Sequence, residues 1–230
     1  MHTTGPNTPT DHLSDITCVA FDFGRVVVDW DPRHLFRQVF TDHDEMEHFL
    51  AHVLTPDENL RLDLGMPLAE LVADLVERHP DSSVALEAWR DRWVETIPGP
   101  IAGTADLIAE LLGAGLRVVG LSNFSAETFA LVRRPNDVFD AMHDIVLSGH
   151  HGVAKPDPAI FELLCERNAV QPHNVVFFDD AVGNVTAAAR LGFHSRLFTD
   201  AATARHDLVE LRVLDATPGA ADAARTPPRP

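Results

Sequence analysis

Short apolar runs alternate with segments of helical spacing along this chain, and this alternation restricts its possible folds more than any other feature. The helical segments include TADLIAELLGAG, which is predicted to place four apolar residues on one face: Leu107, Ile108, Leu111 and Leu112. Strands that alternate with helices are typical of a doubly wound parallel α/β sheet, whose ligands bind at the carboxyl ends of the strands. The five runs that we predict to be buried strands are ITCVAFDF, LRVVGLS, HDIVLS, NVVFFDD and SRLF.

One long interval breaks the alternation. Residues 31–96 contain no convincing strand, only helical patterns such as LFRQVF, PLAELVADLVERH and SVALEAWRDRWVE. We therefore predict a helical cap domain at 31–96, inserted into a core domain that consists of residues 15–30 and 97–215. The two ends, 1–14 and 216–230, are rich in proline, threonine and small or polar residues, and they are predicted to be disordered tails.

The composition is that of an ordinary globular protein, because 45% of the residues are hydrophobic and 23% are charged. Asp and Glu outnumber Lys and Arg by 35 to 18, and the formal charge of −17 argues against a nucleic-acid partner. No run of ~18 apolar residues indicates a membrane span. The N-terminal MHTTGPNTPTDH lacks the basic start and apolar run of a signal peptide, so we expect a cytoplasmic protein. The sequence does not indicate an oligomeric state.

Reactive side chains follow four of the predicted strands. A carboxylate at the end of an apolar run is costly to bury unless it is paired or binds a cation, and adjacent carboxylates repel each other without one. Mg²⁺ prefers oxygen ligands, and phosphoryl transfer needs such a cation together with groups that bind phosphate. Small polar residues at strand ends are also typical of ordinary turns. The residues concerned are Asp22, Ser122 with Asn123, Lys155, and Asp179 with Asp180.

Lys155 is the only lysine in a chain that contains seventeen arginines. It precedes Pro156, and Asp157-Pro158 then begins a predicted helix, with Asp157 as its N-cap. Lys155 is therefore expected beside the positive end of a helix, where a phosphate can bind. The alternative is an exposed surface lysine, which the preference for arginine elsewhere makes the weaker interpretation.

In this order and spacing, the groups resemble the four motifs of the haloacid dehalogenase superfamily, most of whose members are Mg²⁺-dependent phosphatases. The resemblance covers about residues 16–200, and the helical interval resembles the superfamily's type-1 cap. DFGRVVVDWDP and FFDDAVGN are similar to the subgroup that contains α-D-glucose-1-phosphate phosphatase, and to the N-terminal phosphatase domain of soluble epoxide hydrolase. The resemblance thus implies a phosphatase for small phosphorylated metabolites, with sugar phosphates as one candidate class.

The resemblance also implies how the metal and the nucleophile are arranged. Asp22 matches the nucleophile, which attacks phosphorus and forms an aspartyl-phosphate that water hydrolyses. Mg²⁺ would be bound by Asp22, the backbone carbonyl of Gly24, and Asp180. Asp179 would lie behind the metal or reach it through water, and Asn184 would orient this acidic motif.

The second and third motifs complete the implied catalytic set. Ser122 and Lys155 match the hydroxyl and the lysine of these motifs, and with Asp22 they would be the catalytic residues. Ser122, Asn123 and Lys155 would bind the phosphoryl oxygens. Lys155 would also screen the charge of Asp22 from that of the incoming phosphate.

Position 24 departs from the phosphatase pattern. Family members usually have a second Asp there as general acid/base, and this chain has Gly24. Loss of such a group typically reduces the rate ~10²–10⁴-fold unless the leaving group needs little help, as in a sugar 1-phosphate. Asp29, Asp31 or a cap residue are candidate replacements, although both Asp29 and Asp31 also fit the role of ordinary loop acids.

Two other functions are compatible with these residues. A 2-haloacid dehalogenase shares the fold and the nucleophile, also lacks the second Asp and needs no metal, but such a site should avoid the adjacent carboxylates Asp179 and Asp180. A catalytically weak protein that binds a phosphorylated metabolite is the other alternative, and Gly24 alone favours it.

Overall fold

The structure, a computed structural model, describes residues 15–216. Five strands in this range form one parallel sheet in the order β3-β2-β1-β4-β5, which confirms the predicted doubly wound α/β fold. The predicted tail 1–14, and all of the tail 216–230 except its first residue, lie outside the described residues. The strands are β1 (Cys18–Phe21), β2 (Arg117–Ser122), β3 (Asp144–Leu147), β4 (Val175–Asp179) and β5 (His194–Leu197).

The strand order places a ligand-binding crevice between β1 and β4. The chain runs from β1 outward to β2 and β3, and it then crosses to the other side of β1 for β4 and β5. Open α/β sheets bind ligands where the strand order reverses in this way, at the carboxyl ends of the strands. Asp22 directly follows β1 and Asp179 ends β4, so both carboxylates lie at the reversal point.

The central strand β1 is buried on both faces, which explains its uninterrupted apolar sequence. Val19 and Phe21 point into the larger hydrophobic cluster, and Cys18 and Ala20 point into a smaller cluster on the opposite face. Because β1 is held on both sides in the sheet, the position of the next residue, Asp22, is fixed at the carboxyl end of the strand.

Helices, and no strand, occupy the interval from residue 31 to residue 96. They are α1 (Arg33–Phe36), α2 (His43–His52), α3 (Pro56–Asp63), α4 (Leu68–Arg78) and α5 (Ser83–Arg92), with 3₁₀ turns at Pro80–Ser82 and Trp93–Thr96. Asp42 and Thr55 cap α2 and α3 by accepting hydrogen bonds from backbone amides of the first turn. Phe49 and Trp89 of this interval share one hydrophobic cluster with Phe21 of the sheet, so the inserted helices pack directly on the core.

The remaining helices flank the sheet. These helices are α6 (Thr104–Gly113), α7 (Ala126–Arg133), α8 (Val138–Ala141), α9 (Ser148–His151), α10 (Pro158–Asn168), α11 (Val182–Arg190) and α12 (Ala201–Glu210), with a 3₁₀ turn at Pro172–Asn174.

No helix within residues 15–216 is long and apolar enough to cross a membrane.

An aromatic contact anchors the loop that follows β1. The ring of Phe23 stacks on Phe129 with centroids 5.5 Å apart, and it meets Phe139 edge-on at 4.7 Å. Gly120 of β2 makes room for this ring, because a Cβ added there would lie 2.2 Å from Phe23 Cζ. The neighbouring residue Asp22 is thereby held on a loop with little freedom to move.

Candidate active site

Three donors converge on one oxygen of Asp22. Asp22 Oδ1 accepts hydrogen bonds from the Phe23 amide at 2.6 Å and from Ser122 Oγ at 2.8 Å, and Lys155 Nζ lies 2.9 Å from it. Burial raises the pKa of the Asp22 carboxyl to about 6, although Lys155 acts in the opposite direction. Residues from three separate strand ends therefore orient a single buried carboxylate.

Lys155 is buried between two carboxylates rather than exposed on the surface. Its Nζ lies 2.6 Å from Asp179 Oδ2 as well as 2.9 Å from Asp22 Oδ1, and it donates a third hydrogen bond to the Leu121 carbonyl at 2.8 Å. Burial alone would lower the pKa of Lys155, but Asp22 and Asp179 outweigh this effect and raise it above the ordinary value. Lys155 therefore places a positive charge at the carboxyl ends of β1, β2 and β4.

Asn123 fixes the backbone of Lys155. Its Nδ2 donates to the Lys155 carbonyl and its Oδ1 accepts from the Lys155 amide, both at 2.8 Å. This two-point contact occupies the side-chain amide of Asn123. The side chain of Asn123 therefore positions Lys155, and Asn123 also lines the cavity.

Asp179 and Asp180 differ in environment although they are adjacent. Asp179 is fully buried, and besides Lys155 it accepts hydrogen bonds from Asn184 Nδ2 at 3.0 Å and from the Ala181 amide at 2.8 Å. Asp180 is partly exposed, and burial together with Asp179 raises the pKa of its carboxyl. Asp179 is thus held by hydrogen bonds inside the protein, and Asp180 faces the cavity.

The three acids form a cluster with the chemistry of a divalent-cation site. Carboxylate oxygens of Asp22, Asp179 and Asp180 lie within 4.8 Å of one another. Burial, together with the charge of Asp179, raises the pKa of both Asp22 and Asp180, so a bound cation would stabilise their charged forms. A hard cation such as Mg²⁺ fits this oxygen-rich set, because it favours carboxylate ligands and would supply the missing charge.

A cavity of about 190 Å³ opens above these acids. Three aromatic side chains, Trp30, Trp93 and Phe124, form part of its wall, and Asn59 and Asp63 reach it from helix α3. The further residues of the wall are Asp22, Gly24, Arg25, Ser122, Asn123, Asp180 and Asn184. The residues predicted for the metal, the nucleophile and phosphate binding all line this cavity, except the buried Lys155 and Asp179.

Three polar residues of the cavity wall, Arg25, Asn59 and Asp63, were not predicted from the sequence, and neither were the aromatic residues Trp30, Trp93 and Phe124. Arg25 follows Gly24 with φ of 60°, an unusual conformation for a side chain of this size, and its Nη1 lies 3.7 Å from Asp180 Oδ2. Asn59 and Asp63 are one helical turn apart, so they share a face of α3. That spacing was the only signal for the pair, and nothing in the sequence showed which way the face points.

The two acids proposed from the sequence as replacements at position 24 lie elsewhere. Asp29 Oδ2 is 3.2 Å from His34 Nε2, and Asp31 Oδ1 accepts a hydrogen bond from the Arg33 amide at 2.9 Å. Neither side chain lines the cavity. Both acids have the structural role of ordinary loop residues at the start of α1.

The chain is similar to proteins of a known family. Residues 16–192 match haloacid dehalogenase-like hydrolases, which is more than half of the chain. The chain belongs to this family. It is therefore a haloacid dehalogenase-like (HAD-like) hydrolase, as the four motifs indicated.

The relatives of this HAD-like hydrolase differ in how much of the chain they match. Sesquiterpene phosphatase astK of Aspergillus oryzae is 24% identical over 200 residues, which are 83% of this chain and 94% of that protein. Drimenol cyclase drtB of Aspergillus calidoustus is 40% identical over 83 residues, which are 36% of this chain and only 16% of the cyclase. The chain thus spans a small part of the cyclase.

A solved structure has the same fold. A HAD family enzyme of Bacteroides thetaiotaomicron, in complex with magnesium and inorganic phosphate, matches with a TM-score of 0.62 and 22% identity. The match covers 80% of this chain and 95% of that one. At this level of identity the likeness shows the fold alone.

Proposed function

We propose that this HAD-like hydrolase is a Mg²⁺-dependent phosphatase that acts on small phosphorylated metabolites through an aspartyl-phosphate at Asp22. The observation that carries the proposal is the ammonium of Lys155, buried between Asp22 and Asp179. A phosphate dianion and a carboxylate nucleophile repel each other because both are negatively charged. A buried cation at this point reduces that repulsion and allows the phosphate to approach Asp22.

Asp22 is the nucleophile in this proposal. The three donors to Oδ1 fix the plane of the carboxylate, so the group is oriented before substrate binds. Its attack on phosphorus releases the alcohol and leaves a phosphoryl group on Asp22. Water then cleaves this acyl phosphate, releases inorganic phosphate and restores the carboxylate.

Asp22, the carbonyl of Gly24, and Asp180 would bind Mg²⁺. When bound, the ion would supply positive charge to the transferring phosphoryl oxygens. Asp179 cannot rotate freely toward the cation because Lys155 and Asn184 occupy both of its oxygens. Its role is to fix Lys155 and to contribute negative charge behind the ligands.

In this proposal, the phosphate is bound by Ser122, Lys155 and the backbone at Asn123. Ser122 Oγ and Lys155 Nζ already contact the nucleophile, so both lie within reach of a phosphoryl group bound to it. The Asn123 side chain acts indirectly by fixing Lys155.

The helical interval 31–96 acts as the cap in this proposal. Helix α3 places Asn59 and Asp63 in the cavity. Trp30, just before the interval, and Trp93, near its end, supply aromatic walls. The leaving group of the substrate would contact these residues. The small volume and mixed lining suit a sugar phosphate or a compact apolar phosphate ester. The likeness to a sesquiterpene phosphatase, over 83% of this chain, supports phosphatase activity in either case.

A metal-independent 2-haloacid dehalogenase is the less favoured alternative, because the cluster of three carboxylates has no use in a metal-free displacement. Chloride release from 2-chloropropionate in the presence of EDTA would establish it. A weak phosphometabolite-binding protein would instead bind a sugar phosphate without releasing phosphate.

The proposed function is tested by a screen for phosphate release. Sugar phosphates, nucleotides, prenyl phosphates and p-nitrophenyl phosphate would be offered with Mg²⁺ and with EDTA. We expect Mg²⁺-dependent release by the wild type and none by Asp22→Asn, which keeps the size of the side chain but not its nucleophilic oxygen. Activity that survives this substitution would rule out the aspartyl-phosphate.

A further inference from the structure

Position 24 lacks the usual proton donor, yet the cavity contains a carboxyl group with no assigned role. Asp63, the last residue of α3, lines the same cavity as Asp22, Gly24 and Asp180. It is not a member of the three-acid cluster, so it is free of the proposed metal site. We propose that Asp63 is the general acid and base of the reaction, an assignment that rests on the proposed phosphatase function.

Asp63 is fixed to the core although it belongs to the inserted helices. Its backbone carbonyl accepts a hydrogen bond from Ser148 Oγ at 2.5 Å, and the same Ser148 Oγ accepts one from the Phe124 amide at 2.9 Å. A single serine thus joins the end of α3 to the loop that carries Ser122 and Asn123. The contact sets the position of Asp63 relative to the phosphate-binding residues.

The carboxyl group of Asp63 is oriented as well. Asn59 Nδ2 donates to Asp63 Oδ2 at 2.8 Å, and the backbone amide of Ser125 donates a second hydrogen bond. These two donors come from different elements, so the carboxyl cannot turn freely. Proton transfer requires such a defined direction toward the substrate oxygen.

The protonation state of Asp63 suits a proton donor. Burial raises the pKa of its carboxyl from 3.8 to about 8, and the charge of Asp22 adds to this effect while that of Lys155 opposes it. Asp63 is therefore protonated near neutral pH, as a general acid must be. The hydrogen bonds from the Ser125 backbone and the Asn59 side chain lower the pKa of Asp63, but they do not outweigh burial.

Asp63 would give up one proton in the first step of the reaction and regain one in the second. Asp22 forms a bond to phosphorus, the bond from phosphorus to the ester oxygen breaks, and that oxygen takes the proton of Asp63 to leave as an alcohol. Asp63, now a carboxylate, takes a proton from the water that attacks the phosphoryl group on Asp22. The second step releases phosphate and returns both acids to their starting states.

The test separates proton donation from a structural role by changing the leaving group. Single-turnover release of the leaving group would be measured for wild type and Asp63→Asn with p-nitrophenyl phosphate, whose leaving group needs no proton. The same measurement would use glucose 6-phosphate, or hexyl phosphate if that is cleaved faster. Asp57→Asn, an exposed acid on the same helix, is the matched control.

We expect Asp63→Asn to lose ~10²–10⁴-fold with the alkyl ester and at most about 10-fold with p-nitrophenyl phosphate. An equal loss with both esters would overturn the assignment, as would wild-type rates with both. A wild type that cleaves neither ester would refute the proposed function, and the assignment with it. If Asp63→Asn does not fold, the pH profile of the wild type tests the assignment. The assignment requires that kcat/KM falls above pH ~8 for the alkyl ester and does not fall for p-nitrophenyl phosphate, and any other profile would overturn it.

Discussion

Lys155 Nζ lies 2.6 Å from Asp179 Oδ2, and both side chains are completely buried. A buried pair of this kind is costly to form and more costly to break, because either partner alone would be an uncompensated charge. Lys155 also lies next to Asp22, so the same ammonium group stabilises the folded crevice and supplies the positive charge that phosphate binding needs.

Replacement of Lys155 should therefore affect stability and activity separately. Lys155→Met leaves Asp179 unpaired, and we expect the free energy of unfolding to fall by ~3–5 kcal/mol in urea titrations. Lys155→Arg keeps the charge, but its wide planar group cannot replace a compact ammonium among three close acceptors, so phosphatase activity should fall ~10²-fold or more. Wild-type rates in Lys155→Arg would contradict a catalytic position for this residue.

Asn123 should influence catalysis through Lys155. Asn123→Ala removes both hydrogen bonds to the Lys155 backbone and should lower stability by ~1–3 kcal/mol, with a reduced kcat. Asn136→Ala is the matched control, because Asn136 likewise donates to a backbone carbonyl, that of Val132, but does not line the cavity. Equal kinetic effects of the two substitutions, measured as kcat and KM, would argue against the positioning role.

Mg²⁺ should stabilise the folded protein through Asp180. At a concentration 100 times the dissociation constant, a ligand that binds only the native state adds about 2.7 kcal/mol to its stability. We expect a rise of the melting temperature with Mg²⁺ in the wild type and in the exposed control Asp106→Asn, and little rise in Asp180→Asn. Equal stabilisation of all three proteins would place the ion elsewhere.

Asp63 should make the wild type less stable as the pH rises. Its pKa is raised on folding from 3.8 to about 8, so the native state retains a proton that the unfolded state releases. The contribution of Asp63 to stability is thus intact below pH ~4 and is lost progressively up to pH ~8. Asp63→Asn removes this loss, and unfolding free energies at pH 5, 7 and 9 should favour the variant increasingly over the wild type. A pH-independent difference would mean that Asp63 is ionised in the native state.

Gly120 should be intolerant of even one methyl group. Its Cβ would lie 2.2 Å from Phe23 Cζ, and Phe23 is itself packed between Phe129 and Phe139. We expect Gly120→Ala to lose ~1–3 kcal/mol of stability by calorimetry. Gly113→Ala, where no atom lies within 4 Å of the added carbon, is the control that should be neutral. A neutral Gly120→Ala would show that the loop after β1 is more adaptable than its packing indicates.

The sequence by itself determined the fold and the residues that follow the strands. A buried parallel strand needs a continuous apolar run and a helix needs periodic apolar spacing, so both are visible locally, and parallel strands bring their carboxyl ends to one edge. The sequence alone therefore groups four residues at one edge of the sheet: Asp22, Ser122, Lys155 and Asp179.

Only the tertiary structure decided what lies opposite these strand ends. Asp63 is forty-one residues from Asp22 along the chain, and its place in the cavity depends on how α3 packs on the core through Ser148. The same packing produces its raised pKa, since burial is a property of the folded chain and not of the residue. Likewise, the side chain of Asn123 contacts Lys155 only because two distant loops meet. Local patterns carry no information on such contacts, because the free energy that selects them comes from the whole packed core.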